Sequence, residues 1–338
     1  MGVIHDTASV STLVALAAAR EAVPGLEARR RGLVGQARLR MYASEQAHSS
    51  VEKAGIVLGI GQDGFRGIPT DDAFALDVSA LERAIAEDRA AGFTPFAVTA
   101  TVCTTATTGI DPVPAIADLC AREALWLHVD AAYGGAAAVA PEHRALLAGC
   151  DRADSLVMNP HKWLFVPMDL SVLYTRRPEV VRAAFSLVPD YLRTSEDAVA
   201  PNLMDYGIAL GRRFRALKLW VVLRAFGSEG IAARIREHLR LAQLFRGWLE
   251  ADPAFELTAP TAFSLVCFRA RFPGTTPAEA DRRNEAVVEA VNRSGEAFLA
   301  PTRIRGRVIV RLAIGNLRTQ ERHLRRTYEL LREAVSRS

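Results

Sequence analysis

Apolar runs and amphipathic stretches alternate through residues 1–215. The run at 9–23 (SVSTLVALAAAREAV) opens on Ser and Thr and continues in alanine-rich turns, which predicts a helix. Helical periods recur at 49–56, 78–91 and 112–123. Between and beyond them lie short apolar runs at 37–42, 95–103 (PFAVTATVC), 124–129 (ALWLHV), 155–158 and 170–174, which read as buried strands. This alternation predicts an α/β fold, with a mostly parallel sheet covered by helices in a large domain over 1–215. Residues 186–206 (SLVPDYLRTSEDAVAPNLMDY) break the pattern: they are polar, hold two prolines and have no clean period. A loop of that length is usually a functional one. Beyond it the pattern turns to long helices at 212–227 and 229–251. Strand-like runs follow at 263–268 and 307–313, with helices at 278–293 and 319–336, so residues 216–338 read as a smaller C-terminal α+β lobe. There is no internal repeat and no low-complexity tract.

Composition narrows the function classes. Of 338 residues, half are hydrophobic and a quarter charged, the make-up of a soluble globular protein. Net charge is only +4, and the basic residues are scattered, many as pairs such as Arg29-Arg30 and Arg325-Arg326. No basic stripe with interleaved aromatics is present, which argues against nucleic-acid binding. Cys103, Cys120, Cys150 and Cys267 form no C-x-x-C pair and no cluster with zinc-ligand spacing, so no metal site is expected and a reducing cytoplasm fits. No apolar run approaches a membrane span and no signal peptide is visible. The chain enters a helical pattern within about ten residues of Met1, like the middle of a domain.

One bias changes the picture. The 42 basic residues include only three lysines, Lys53, Lys162 and Lys218. Arginine carries charge and binds phosphate, but it cannot lose its proton and attack a carbonyl. A lysine kept in 158-MNPHKWLF-165 therefore hints at a needed amine, although a lysine whose stem covers apolar surface fits equally well. Asp130 closes the run 125-LWLHVD-130 ahead of Ala-Ala-Tyr-Gly-Gly, as either an Asx turn or a carboxylate reaching into a cleft. The predicted sheet brings both residues to the carboxyl ends of successive strands, where ligands of such sheets bind. An acid and a lone lysine suit pyridoxal phosphate. The lysine forms a Schiff base with the aldehyde, and the acid keeps the pyridine nitrogen protonated. Thr7-Ala8-Ser9, at a helix start, offers either a phosphate seat or a plain N-cap. His48, in 45-EQAHSS-50, is a candidate to stack on the ring, or an ordinary surface histidine.

HVDAAYGG followed by NPHKW resembles the group II pyridoxal-phosphate decarboxylases of the aromatic-L-amino-acid decarboxylase type. The resemblance runs on through GVIHDTASVSTLVALAAAR, SEQAHSSVEKAG, TVCTTATTGIDPV, VPDYLRT, LGRRFRALKLW and SLVCFR, and so covers nearly the whole chain. It implies the fold-type-I architecture, a homodimer, an amino-acid substrate that is aromatic, and release of amine and carbon dioxide. Residue by residue, it implies that Lys162 carries the internal aldimine. Asp130 binds the pyridine nitrogen, and Ala132 packs on one ring face. His48 stacks on the other face and serves acid–base steps. Thr7, Ala8, Ser9, Asn159 and His161 hold the phosphate, and Thr105 lines the cofactor site. Tyr191 matches a lid tyrosine that protonates the substrate carbon. Aldehyde-forming relatives often carry phenylalanine in place of Tyr191 or asparagine in place of His48, so the resemblance favours plain decarboxylation. Gly211, before Arg212-Arg213, matches a substrate-pocket glycine that goes with indole substrates in the plant branch. Family members are longer at the N-terminus, where a segment wraps the partner subunit and lines the pocket. The resemblance thus leaves two other readings beside an active decarboxylase: a non-catalytic homologue keeping the fold, and another fold-type-I enzyme such as an aminotransferase or desulfurase.

Overall fold

A computed structural model describes residues 1–187 and 201–337. Contacts divide the chain into two units, Met1–Val102 with Ile110–Gly227, and Cys103–Gly109 with Ser228–Ser338, against the sequence expectation of 1–215 and 216–338. The first unit contains β1 (Gly2–His5), α1 (Ala8–Glu21), α2 (Ala28–Arg31), β2 (Arg38–Ser44), α3 (Ser50–Val57), β3 (Phe65–Ile68) and α4 (Val78–Ala90). It continues with β4 (Phe93–Thr101), α5 (Val113–Glu123), β5 (Trp126–Asp130), β6 (Ser155–Met158), α6 (Pro160–Trp163), β7 (Ser171–Thr175) and α7 (Pro178–Phe185). A long helix, α8 (Ala216–Ala251), crosses the change of unit and is broken at Gly227, whose φ of 65° and ψ of 171° favour glycine.

The seven strands of the first unit lie in the order β1-β7-β6-β5-β4-β2-β3. Strands β2 to β6 run parallel to one another, and β7 alone runs against them, antiparallel to both β6 and β1. The expected mostly parallel sheet is therefore present. Its central strands are buried along their length, Trp126–Asp130 entirely so, which is why they read as continuous apolar runs. Strands β1 and β3 escape sequence reading because each is a four-residue edge segment with a partly exposed pattern. Helix α1 is alanine-rich on its buried side and packs on β4 to β7. Aspartate 77 caps α4 by accepting the Ala80 N–H at 3.0 Å.

The second unit holds the rest of α8, then β8 (Phe255–Leu257), β9 (Leu265–Ala270), α9 (Pro277–Arg293), β10 (Ala300–Ile304), β11 (Arg307–Ala313) and α10 (Glu321–Arg337). Its antiparallel sheet has the order β10-β11-β9-β8, so this lobe is α+β as the sequence predicts. Phe245, Phe255, Phe268, Val310 and Leu331 centre its core. The buried Asn284 amide bonds both the N–H and the C=O of Ala270, which ties α9 to β9.

Candidate active site

The topology collects most of the candidate residues at one edge of the first sheet. Strands β1, β6, β5, β4 and β2 end there, and β7, running the other way, begins there. In order along that edge lie the turn 6–9 after β1, Leu170 and Ser171 at the start of β7, Asn159 to Lys162 after β6, Asp130 to Ala132 after β5, Thr101 at the end of β4, and Glu45 to His48 after β2.

Two loops interlock at the centre. The Asn159 N–H donates to the Ala132 carbonyl at 3.0 Å, and the Ala131 N–H donates to the Val157 carbonyl at 3.0 Å. The rings of Tyr133 and Trp163 stack with centroids 4.6 Å apart and planes 8° from parallel. These contacts fix the Lys162 turn against the Asp130 turn. Asp130 is buried and its Oδ1 accepts the Ala132 N–H at 3.0 Å, while no donor to Oδ2 is found among the described residues. Lys162 is exposed and has no ion-pair partner among the described residues. One Asp130 oxygen thus makes the Asx turn, and the other has no donor among the described residues.

His161 accepts the Leu170 N–H at Nδ1, 2.8 Å away, which puts the ring proton on Nε2. Burial, with help from the neighbouring Lys162 charge, holds its pKa below the usual histidine value. His48 is exposed; its Nδ1 accepts the Ser50 N–H at 3.2 Å and faces the Ser50 hydroxyl at 2.8 Å, leaving Nε2 as the free ring nitrogen.

A buried polar network under the site was not legible as function. Trp126 Nε1 donates to Ser155 Oγ at 2.9 Å, Ser155 Oγ meets His128 Nδ1 at 2.9 Å, and His128 Nε2 meets Thr12 Oγ1 of α1 at 3.3 Å. Ser11 Oγ and Ser171 Oγ join α1 to β7 at 2.9 Å. Register pairs Thr99 with His128 and Thr101 with Asp130, so these four side chains share the face that α1 covers. The carboxylate of Asp111 clamps the end of β4 by accepting the Thr101 N–H at 2.7 Å and the Leu76 N–H at 2.8 Å. The alternation of polar His128 and Asp130 within a buried strand was the available signal.

His128 and His5 are both held neutral, since burial pushes each down to about 4. His5 ends β1 and packs so closely on Gly207 that a Cβ there would lie 2.8 Å from its Cε1. A folded value below the unfolded one means that the unfolded chain takes up protons first. Stability is therefore full above about pH 6.5 and is lost as pH falls toward 4, by up to about 3 kcal/mol for each histidine. Asp111, pushed up to about 6 by burial, opposes part of that loss. Urea unfolding is expected to show falling stability from pH 7 to 4.5. In His128→Gln the slope should shrink by up to one proton, and an unchanged slope would show that His128 is not held neutral.

Thr105 belongs to the second unit, where its carbonyl accepts from Arg311. Gly211 is exposed, and nothing lies within 4 Å of a Cβ built on it. Tyr191 lies outside the described residues.

Among the described residues, the buried atoms Asn159 Oδ1, Thr101 Oγ1 and Thr99 Oγ1 have no hydrogen-bond partner, which agrees with a polar ligand at this edge. With an acid and an unpaired lysine beside them, the fold and site define an α/β enzyme of the pyridoxal-phosphate class. A profile described as "Pyridoxal-dependent decarboxylase conserved domain" matches residues 1–271. The chain belongs to this family of pyridoxal-dependent carboxy-lyases. It is 41% identical to aromatic-L-amino-acid decarboxylase of Sus scrofa over 337 residues, which takes in 98% of this chain and 67% of that protein. It is 38% identical to phenylacetaldehyde synthase of Arabidopsis thaliana, over 99% of this chain and 68% of that one. Among solved structures, Oryza sativa TDC with PLP and tryptamine superposes with a TM-score of 0.94 at 38% identity, over 99% of this chain and 70% of that one. The chain thus spans about two thirds of the length of these relatives.

Proposed function

We propose that the protein decarboxylates an aromatic L-amino acid to its amine, with Lys162 as the covalent anchor of pyridoxal phosphate. The observation that carries this reading is the pair of interlocked turns that hold Lys162 and Asp130 beside each other. When bound, the cofactor supplies an aldehyde for covalent capture of the amino group and a protonated ring that accepts electrons. Asp130, through its other oxygen, would hold the proton on the pyridine nitrogen. Ala132 and His48 would be the residues that hold the ring. His48 Nε2 moves protons there, because Nδ1 is already engaged with Ser50. Thr7, Ala8 and Ser9 at the start of α1, with Asn159 and His161, hold the phosphate. Tyr191 returns the proton to the substrate carbon, and Thr105 and Gly211 line the cofactor and substrate sides.

The experiment is direct. The purified chain is mixed with pyridoxal phosphate, reduced with borohydride and digested, and the modified residue is mapped. A tag on Lys162, with amine released from tryptophan, tyrosine, phenylalanine or dihydroxyphenylalanine, is the expected result. A folded protein that takes no tag supports the non-catalytic reading, and aldehyde in place of amine supports the activity that the Arabidopsis relative is named for.

The same reading includes a homodimer. Ile208, Leu210, Phe214, Leu217 and Trp220 form an exposed apolar stretch leading into α8, with Phe214 76% exposed. Monomers rarely leave so much contiguous apolar surface in water, and a second copy is its natural cover. In sedimentation, Trp220→Glu is expected to weaken self-association at least about tenfold. A wild-type chain that sediments as a monomer would refute the dimer. No helix among the described residues is long and apolar enough to cross a membrane. The four free thiols, three of them buried, favour a reducing cytoplasm.

A further inference from the structure

The turn that opens α1 contains an acid that phosphate binding does not call for. Asp6 precedes the N-cap Thr7, and its Oδ1 accepts the Thr7 N–H at 2.7 Å. The helix that follows runs for 14 residues, has no acidic residue in its first turn and no side-chain cap. Such an end carries partial positive charge and free N–H groups. The Thr7 carbonyl takes the N–H groups of Val10 and Ser11, and no acceptor for those of Ala8 and Ser9 is found among the described residues.

Two buried polar atoms close to this turn along the sheet edge lack a partner among the described residues: Oδ1 of the 98% buried Asn159 and Nε2 of the 95% buried His5, the residue just before Asp6. Strand β7 links the two places. Its Ser171 is in register with His5, and its neighbour Leu170 exchanges hydrogen bonds with His161, beside Asn159 and Lys162.

Asp6 is not neutralised by an ion pair of its own among the described residues. Arg215 is near enough to act on it electrostatically, but that guanidinium is bound to both oxygens of Asp169, each at 3.0 Å. Arg212 spends its guanidinium on the carbonyls of Ile4 and Leu203. A half-buried carboxylate thus adjoins the helix start that, on the proposed reading, seats a phosphate dianion, and it already takes the Thr7 N–H.

We propose that Asp6 is a built-in competitor of the cofactor's phosphate, which sets the protein's affinity for pyridoxal phosphate below that of the same turn without the acid. The inference rests on the reading that Thr7, Ala8 and Ser9 hold that phosphate. Asparagine keeps the acceptor for the Thr7 N–H and removes the charge. Glutamate keeps the charge.

The test measures dissociation constants of the apo-protein for pyridoxal phosphate and for pyridoxal, which lacks the phosphate, by absorbance titration and dialysis. Asp6→Asn should bind pyridoxal phosphate about five- to tenfold more tightly, with pyridoxal unchanged within about twofold and Asp6→Glu close to wild type. Equal tightening for both aldehydes would overturn the proposal, because Asp6 would then act on the fold and not on the phosphate. Unchanged or weaker pyridoxal phosphate binding in Asp6→Asn would overturn it too. Failure of the underlying reading looks different: neither protein would carry a borohydride-fixed tag on Lys162, and the inference would fall with it.

Discussion

Lys162→Ala is expected to lower amine release by about 10,000-fold or more and to abolish the borohydride-fixed tag. The effect is large because no other amine can take over. Lys218 lies 3.7 Å from Asp169, and Lys53 sits on α3. Only Lys162 stands on the turn clamped to Asp130 by the Asn159–Ala132 bond and the Tyr133–Trp163 stack. Lys162→Arg should fail as badly. It keeps the positive charge but offers no nucleophilic nitrogen, so the pair of variants separates charge from nucleophilicity. Circular dichroism and urea midpoints should match wild type, since the Lys162 side chain is exposed and no ion pair is broken. Activity in Lys162→Arg within tenfold of wild type would remove the lysine from the chemistry.

Asp130→Asn is the second large effect, with kcat expected to fall by about 100- to 1,000-fold. Asparagine still offers an oxygen to the Ala132 N–H, so the turn survives and the variant tests charge alone. What is lost is a buried negative charge, which on the proposed reading would hold a proton on the ring nitrogen, and a charge acts most strongly in a buried site. The absorbance of the bound cofactor should shift with kcat, whereas a merely structural Asp130 would leave the spectrum of the bound state in place. A variant within threefold of wild type in both readouts would reduce Asp130 to its turn.

The central strands and the long helices were legible in the sequence, and so was the placement of Asp130 and Lys162 just beyond successive strands. Strand β5 is buried throughout, so burial wrote a continuous apolar run and left its polar members conspicuous. The lysine stood out because arginine fills nearly every other basic position. Other parts were hidden for physical reasons. Strands β1 and β3 are too short to show a period. His128, Ser155 and Thr12 lie far apart in the chain, and it takes the pairing of β5 with β6 and the packing of α1 to join them. The grip of Asp111 on Thr101 depends on a strand end that no local pattern announces. Gly211 was chosen by family likeness, and its surroundings among the described residues are open.

The hydroxyls of Ser11 and Thr12 grip β7 and β5 within one turn of Ala8 and Ser9. The first turn of α1 is therefore bolted to the sheet from below, by bonds made within the protein. On the proposed reading, in which that turn seats the phosphate, these bonds would hold the seat in shape before the cofactor arrives, so that loading would need little reorganisation.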